Sequence, residues 1–237
     1  AYLYHPGDEY FLVVNASNRE KDWNHFQELA KSFDVQLEDE TTQVAMIAFQ
    51  GPLSGRILSE VKRDGTMPEP FRNSLSKISI LGIEVLLART GYTGEPIGFE
   101  LFAPAEKMEA IWARLEEAGK DRGVVAAGLG ARDTLRLEDG MPLYGHEFGI
   151  DPEGKEFPAF AFPLTSVAVS FSKRKGDFVG RKALRAQFEE IRKIRMGQYE
   201  TSADLSRRFL PHALKDKGNT RQGDLVFLDE KKVGFIT

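Results

Sequence analysis

The stretch ARTGYTGEPIGFELF, residues 88–102, places three glycines between two short apolar runs. A tight β-hairpin needs only two to about five connecting residues, whereas the segment 91–98 is longer than that. If residues 99–102 are extended, Phe99 and Leu101 share one face, while Glu100 and Phe102 share the other. The stretch therefore predicts a strand that follows a long glycine-containing loop and carries a carboxylate beside an aromatic ring.

A carboxylate at this position could bind a flat heterocycle. Its two oxygens can accept two parallel hydrogen bonds from adjacent N–H donors. The alternative is a solvated strand glutamate, and periodicity alone favours that alternative. The loop itself is not a phosphate cradle, because it lacks the Walker pattern and does not open directly into a helix. Glu100 is therefore a candidate binding residue with an ordinary structural alternative.

The segments around this loop predict both strands and helices. Residues 78–90 form two apolar runs divided at Gly82, which indicates a strand pair. Helical spacing recurs after the loop, at Met108, Ile111, Trp112 and Leu115. A further helix over 128–140 is closed by Gly140.

The two ends of the chain add further predicted elements. Near the N-terminus, strands over 9–15 and 44–49 flank a helix whose N-cap is Ser17 or Asn18, which suggests one layered α/β unit. Later segments predict a strand over 165–172 and a helix over 177–193, and the chain becomes polar and β-like from about residue 195. The predicted class is α+β with more than one domain.

Composition excludes several classes of function. The net charge of −4 and the sequence pI near 5.7 do not favour nucleic acid or an anionic membrane as partner. No apolar run is long enough to span a bilayer. The absence of cysteine excludes disulfides and thiolate chemistry and fits a reducing compartment. The four histidines lack metal-ligand spacing, so we expect no metal site.

Asp22 is a candidate catalytic residue in the first predicted helix. At 100° per residue it falls within the same stripe as Phe26, Leu29, Ala30 and Phe33. A carboxylate on the apolar side could orient or deprotonate an amine nucleophile. The alternative is that Asp22, in the first turn, complements the helix dipole.

Two arginines four residues apart form the third candidate feature. Like charges at this spacing oppose helix formation by roughly 0.2–0.5 kcal/mol. Asp133 and Asp139 each lie three residues from Arg136 and could neutralise it. Arg132 has no acidic residue three or four positions away, so we expect it to be the freer contact for an anion or another ligand.

Five segments in order and at similar spacing resemble one known family. They are "VVNASNREKDW", "FQGPLSG", "RTGYTGEPIGFELF", "AAGLGARDTLRLEDGMPLYGHE" and "KGDFVGRKAL". Together they resemble the aminomethyltransferase, or T-protein, family of the glycine cleavage system. The resemblance implies a multidomain tetrahydrofolate-binding fold, of which we expect the N-terminal region and the end of the C-terminal β-barrel to be absent. The expected divisions are an α/β layered segment 1–62, the main α+β folate-binding segment 63–194 and the start of the barrel, 195–237.

The resemblance also implies roles for individual residues. Asp22 would act on the folate nitrogen, Glu100 and Arg132 would contact folate, and Tyr92 and Asn15 would be neighbours in the same pocket. The implied reaction transfers an aminomethyl-derived one-carbon unit from lipoyl-bearing H-protein to tetrahydrofolate, giving methylene-tetrahydrofolate and ammonia. The implied partners are H-protein and folate, and the implied location is the cytoplasm, or the mitochondrial matrix in a eukaryote.

Two departures from the family pattern keep other functions open. The element "GEPIGFE" is one residue longer than usual near Ile97, and the segment 148–171 differs from the family's usual sequence. These differences motivate an alternative, another tetrahydrofolate-dependent methyltransferase or demethylase of the same fold. A noncatalytic folate-binding regulator is a weaker alternative, because its relatives carry a cysteine that this chain lacks.

Overall fold

The computed structural model describes residues 2–199 and 203–237. The chain divides into two compact units, Ala1–Met141 and Pro142–Thr237. Both helices and strands are present in the first unit, and the second has fewer strands, so the predicted α+β class is confirmed. The predicted boundaries after residues 62 and 194 stay predictions.

The first unit is built around one antiparallel sheet. Its elements in chain order are β1 (Tyr2–Tyr4), β2 (Phe11–Val13), α1 (Arg19–Ala30), β3 (Val44–Gln50), α2 (Ser54–Val61), β4 (Lys62–Gly65), β5 (Leu75–Ile80), β6 (Ile83–Ala88), β7 (Gly98–Pro104), α3 (Met108–Gly119) and α4 (Leu129–Glu138). Five strands form the main sheet in the order β3-β7-β6-β5-β4, with antiparallel pairing throughout. Strands β3 and β7 are therefore neighbours in the sheet, although β4, β5 and β6 lie between them in the sequence.

One face of this sheet carries the main hydrophobic core. Helices α2 and α3 supply Ile57, Leu58, Ile111 and Leu115, which are buried against the strands. Trp112 belongs to the same predicted stripe but is 40% exposed. The amphipathic pattern of α3 therefore identified the buried face but included one residue at its margin.

The hairpin β1–β2 contributes to the opposite face. Tyr4 clusters with Ala88 and Phe102, and the rings of Phe11 and Phe102 meet edge to face with centroids 5.2 Å apart. The strand predicted over 9–15 pairs with β1 in antiparallel register, whereas β3 pairs with β7. The strands on either side of α1 therefore pair with different partners, and the layered α/β segment expected over residues 1–62 stays a prediction.

The second unit packs around a long helix. It contains α5 (Thr165–Ala168), α6 (Arg181–Arg195), β8 (Leu225–Leu228) and β9 (Lys231–Phe235). Ile191 of α6 is buried with Phe160, Ala161 and Leu205. The helix predicted over 177–193 is present as Arg181–Arg195, and the β-like character predicted from about residue 195 is found in the hairpin of β8 and β9.

The strand predicted over 165–172 was wrong. Residues Thr165–Ala168 form the short helix α5 instead. The Thr165 hydroxyl donates to the carbonyl of Ala159 at 2.5 Å, and the N–H of Val167 donates to the carbonyl of Leu164 at 2.9 Å. These local bonds satisfy the backbone without a neighbouring strand, so the β-branched sequence adopts a turn.

Two kinds of feature were absent from the parts of the chain that the structure describes. Over residues 2–199 and 203–237, no helix combines the length and the apolar character that a bilayer crossing requires. Within the same ranges, no three His, Cys, Asp or Glu side chains are grouped so that they could hold a metal ion.

Candidate functional site

The loop between β6 and β7 is held against the end of α4. Gly94 has a φ of +86°, which favours glycine, and a Cβ there would lie 2.6 Å from Cβ and Cγ of Asp139. A Cβ on Gly98 would lie 3.0 Å from the carbonyl oxygen of Thr90. The glycines of this loop therefore permit close packing within the protein, immediately before the strand that carries Glu100.

Glu100 lies inside β7 on the face away from the main core. Its neighbours in register are Ala48 on β3 and Ala88 on β6. Phe99 and Leu101 join the main core, whereas Phe102 joins the cluster of Tyr4 on the other face. The alternation predicted from the sequence is confirmed. Glu100 is only 8% exposed, so the solvated-strand alternative does not apply.

A tyrosine from β1 holds the Glu100 carboxylate. The Tyr4 hydroxyl donates a hydrogen bond to Oε2 of Glu100 at 3.0 Å, and both side chains are buried. Tyr4 was not among the residues predicted from the sequence. The available signal was the alternation of Tyr2 and Tyr4 in the first residues, which is typical of a strand with one apolar face.

The charge states of this pair follow from burial and from one neighbouring cation. Burial raises the pKa of the Glu100 carboxyl, while the hydrogen bond from Tyr4 and the positive charge of Arg132 oppose that rise. Burial and the negative charge of Glu100 raise the pKa of Tyr4 well above its usual range. Tyr4 is therefore a firm hydrogen-bond donor, and its proton stays on the phenol.

The two arginines of α4 have different surroundings. Arg136 is 1% exposed, donates from Nε to Oδ1 of Asp133 at 2.7 Å and donates from Nη1 to the carbonyl of Met141 at 3.0 Å. Arg132 is exposed, and its charge acts on Glu100. The expected neutralisation of Arg136 by Asp133 is confirmed, whereas Asp139 lies against Gly94. Of the two arginines, Arg132 is thus the one with an exposed side chain, and its role in ligand binding stays a prediction.

Asp22 has a local partner at the start of α1. Asn18 donates from Nδ2 to Oδ1 of Asp22 at 2.5 Å, and Asp22 is half-buried. Within the described parts of the chain, no hydrogen bond or ion pair joins Asp22 to Glu100 or Arg132. Helix α1 has no fully buried side chain, and Leu29 and Phe33 of the predicted stripe are exposed. These contacts fit the helix-start alternative, and a catalytic role for Asp22 stays a prediction.

The two remaining candidate residues lie on different segments of the first unit. Asn15 is exposed after β2, and its carbonyl accepts the N–H of Asn18 at 3.0 Å. Its side chain makes no capping bond. Tyr92 is half-buried in the loop before β7. A role for Asn15 or Tyr92 in ligand binding stays a prediction.

The loop carries two hydroxyl groups that were not singled out from the sequence. Among the described residues, Oγ1 of Thr90 and Oγ1 of Thr93 are buried without a hydrogen-bond partner. Buried hydroxyls are normally paired, so an unpaired one is a candidate position for a ligand or a water. Thr90 lies beside Gly98, where β7 begins, two residues before Glu100.

A cleft of about 410 Å³ is lined in part by the same loop. Its lining residues are Gln50, Gly51, Thr93, Gly94, Glu95, Pro96, Leu135, Glu138 and Asp139. Three of these are acidic and none is basic, which does not suit a phosphate or another anion. Glu100 is not part of the lining, so the cleft and the Tyr4–Glu100 pair are separate features of the unit.

Comparison with known proteins identifies related sequences. The family model described as the GCVT N-terminal domain matches residues 3–156. An aminomethyltransferase of Lysinibacillus sphaericus strain C3-41 is 37% identical over 231 residues, which cover 97% of this chain and 57% of that relative. An aminomethyltransferase of Deinococcus deserti is 45% identical over 184 residues, or 77% of this chain and 47% of the relative. The chain spans about half the length of these curated relatives.

A solved structure gives a similar result. The glycine cleavage system aminomethyltransferase T from Bartonella henselae matches with a TM-score of 0.58 and 29% sequence identity. The match covers 76% of this chain and 46% of that protein. The similarity therefore extends beyond sequence motifs to the arrangement of the backbone.

Proposed function

Since this chain belongs to the GCVT N-terminal domain family, we propose that it is part of a tetrahydrofolate-dependent aminomethyltransferase. The reaction transfers an aminomethyl-derived one-carbon unit from lipoyl-bearing H-protein to tetrahydrofolate, giving methylene-tetrahydrofolate and ammonia. The relatives named aminomethyltransferase support this activity and do not favour the alternative of a methyltransferase or demethylase with another substrate. Since the chain spans about half of those relatives, the activity is assigned to the whole protein to which these residues belong.

The observation that carries the proposal is the buried carboxylate of Glu100, whose pKa the positive charge of Arg132 lowers. Tyr4 occupies Oε2, and no described donor binds Oε1. Oε1 is not among the fully buried unpaired atoms of the described residues, so it is open to water or to a ligand that brings N–H groups. The exposed guanidinium of Arg132 adds a positive charge that acts on this carboxylate.

These residues fit the chemistry of a reduced pterin. The pterin ring presents adjacent N–H donors along one edge, which a carboxylate can accept in parallel. Arg132 can hold an anionic part of the same ligand or keep Glu100 ionised. The unpaired hydroxyl of Thr90 adds a polar group beside the start of β7. Asn15 and Tyr92 are assigned to the same pocket on the family resemblance alone.

Tetrahydrofolate supplies the amine that receives the one-carbon unit, and the protein's task is positioning. Holding two large substrates in register can supply much of the rate enhancement, because it converts an encounter into an intramolecular step. Glu100 fixes the orientation of the ring through its N–H edge. Asp22 is our candidate for orienting or deprotonating the amine, an assignment that its half-buried position permits.

The experiment compares turnover with binding in the whole protein. Methylene-tetrahydrofolate formation from aminomethyl-loaded H-protein is measured for the parent and for Asp22→Asn, and tetrahydrofolate affinity is measured by titration. We expect Asp22→Asn to reduce turnover by at least a hundredfold, as removal of a general base does, and to leave affinity largely unchanged.

Glu20→Gln is the matched control for Asp22→Asn. Both residues lie in the first turn of α1, so both substitutions remove one negative charge from the helix N-terminus. An equal effect of the two variants would assign Asp22 to the helix dipole and remove it from the mechanism. A parent protein that binds no tetrahydrofolate would overturn the proposed function itself.

A further inference from the structure

We propose that Tyr4 is a positioning residue of the ligand site, whose hydroxyl holds Oε2 of Glu100 so that Oε1 remains directed to the N–H edge of a heterocyclic ligand. The inference rests on the proposed function, because it concerns the same carboxylate. Tyr4 would not touch the ligand, so its contribution is made through Glu100.

The geometry of Tyr4 supports a fixed contact. Tyr4 is 4% exposed, and its ring packs edge to face on Phe102, with the centroids 5.8 Å apart. Phe102 follows Glu100 by two residues on the same face of β7. The same strand therefore supplies both the support for the Tyr4 ring and the acceptor for its hydroxyl.

The fold brings these residues together over a long distance in sequence. Tyr4 and Glu100 are separated by 96 positions, and Tyr4 reaches the sheet because β1 pairs with β2 in register Tyr4 to Phe11. Phe11 in turn contacts Phe102 edge to face. A buried carboxylate that is held by one donor loses less freedom when a ligand binds, because its rotamer is already set.

The hydroxyl also affects whether the carboxylate is charged. Burial raises the pKa of Glu100, and the Tyr4 hydrogen bond lowers it. Among the described residues, the groups that act on this carboxyl are Tyr4 and Arg132. Removal of the hydroxyl leaves Arg132 alone to oppose burial, so the carboxyl becomes protonated at a higher pH. A protonated carboxyl accepts fewer N–H donors and binds the ligand more weakly.

The test uses Tyr4→Phe, which removes one oxygen and keeps the ring. Tyr2→Phe is the matched control, because Tyr2 lies on the same strand and stacks on Tyr4 with centroids 6.0 Å apart, but has no hydrogen bond to Glu100. Two quantities are measured in each variant. The first is the pKa of Glu100 without ligand, by ¹³C NMR titration of its carboxyl carbon with Glu100→Gln for assignment. The second is tetrahydrofolate affinity as a function of pH.

We expect Tyr4→Phe to raise the pKa of Glu100, to weaken tetrahydrofolate binding about tenfold at neutral pH, and to approach the parent's affinity at high pH. A tenfold change corresponds to about 1.4 kcal/mol. Tyr2→Phe should change neither quantity. A general loss of structure would weaken binding equally at every pH, so recovery at high pH separates positioning from damage to the fold.

Three results obtained with the variants would overturn the inference. The first is an unchanged pKa of Glu100 in Tyr4→Phe, the second is a pH-independent loss of affinity, and the third is an equal effect of Tyr2→Phe. The NMR titration requires no ligand, so it distinguishes failure of the Tyr4 contact from failure of the proposed function. If the parent binds no tetrahydrofolate while the pKa of Glu100 still rises in Tyr4→Phe, the proposed ligand is wrong and the positioning role for it is overturned.

Discussion

Gly94 and Asp139 are in contact at a point where the protein leaves no room for a side chain. A Cβ on Gly94 would lie 2.6 Å from both Cβ and Cγ of Asp139, and the φ of Gly94 is +86°. The loop that precedes β7 is thereby fixed to the C-terminal end of α4. This contact links the loop that leads into Glu100 to the helix that carries Arg132.

Gly94→Ala should therefore destabilise the protein by about 2–4 kcal/mol, since it combines left-handed backbone strain with an overlap that Asp139 must relieve. Urea unfolding measures the change in the free energy of unfolding. Gly123→Ala is the control, because Gly123 has a φ of +78° but nothing within 4 Å of its Cβ. The control should lose only about 1 kcal/mol. Equal losses in the two variants would show that the contact with Asp139 carries no energy.

Arg136→Met should destabilise the first unit by about 1–3 kcal/mol, because it removes the bonds of a buried guanidinium to Asp133 and to the Met141 carbonyl and leaves that carbonyl without its donor. The matched variant is Arg132→Met on the same helix, where the side chain is exposed. We expect Arg132→Met to change the unfolding free energy by less than about 0.5 kcal/mol and to weaken ligand binding. If Arg132→Met were the more damaging of the two for stability, the structural assignment of Arg136 would be wrong.

The raised pKa of Glu100 makes stability depend on pH in a defined direction. An unfolded glutamate ionises near its ordinary value of 4.5, whereas the folded carboxyl holds its proton to a higher pH. Between these two values the folded state binds more protons, so the free energy of unfolding falls as pH rises. Each unit of upward shift corresponds to about 1.4 kcal/mol.

Glu100→Gln should remove this part of the pH dependence, because the amide does not titrate and can still accept from Tyr4. Unfolding free energies from pH 4 to pH 8 check the result, with Glu84→Gln as the control. Glu84 is an exposed strand residue that pairs with Lys77, and its substitution should leave the slope unchanged. A Glu100→Gln profile parallel to that of the parent would show that the carboxyl is not perturbed.

Asp151 in the second unit should make the free energy of unfolding depend on pH in the opposite direction. Its side chain is buried, and although desolvation alone would raise its pKa, the N–H groups of Lys155 and Glu153 and the guanidinium of Arg207 hold that pKa below its usual range. A lowered pKa stabilises the folded state above the ordinary carboxyl range, and that stability is lost as pH falls through the folded value.

Asp151→Asn should consequently lower the thermal midpoint at neutral pH, and the difference from the parent should shrink as the pH is brought towards 2. Thermal unfolding followed by circular dichroism at a series of pH values measures this effect. Asp216→Asn is the control, because Asp216 is exposed in the same unit. A constant difference between Asp151→Asn and the parent at all pH values would contradict a role for the charge.

Local sequence patterns predicted most of the elements. The strand pair divided at Gly82 is present, with Leu81 and Gly82 both at positive φ in the turn, and α4 ends before Gly140 at a φ of +71°. The pattern failed at 165–172, where β-branched residues form a helical turn because local hydrogen bonds satisfy the backbone. Periodicity describes which face of a segment is apolar, and it does not state which partner that face will meet.

The sequence by itself determined the family and the side of β7 to which Glu100 belongs, since both depend on residue order and on the two-residue period of a strand. Only the tertiary structure decided that Tyr4 holds Glu100, that the charge of Arg132 acts on that carboxyl, and that Arg136 is buried while it donates to Asp133. The physical reason is that hydrogen bonds and charge interactions act over a few ångströms, whereas Tyr4 and Glu100 are 96 positions apart in the chain. The pairing of β1 with β2 and the packing of Phe11 on Phe102 close that separation.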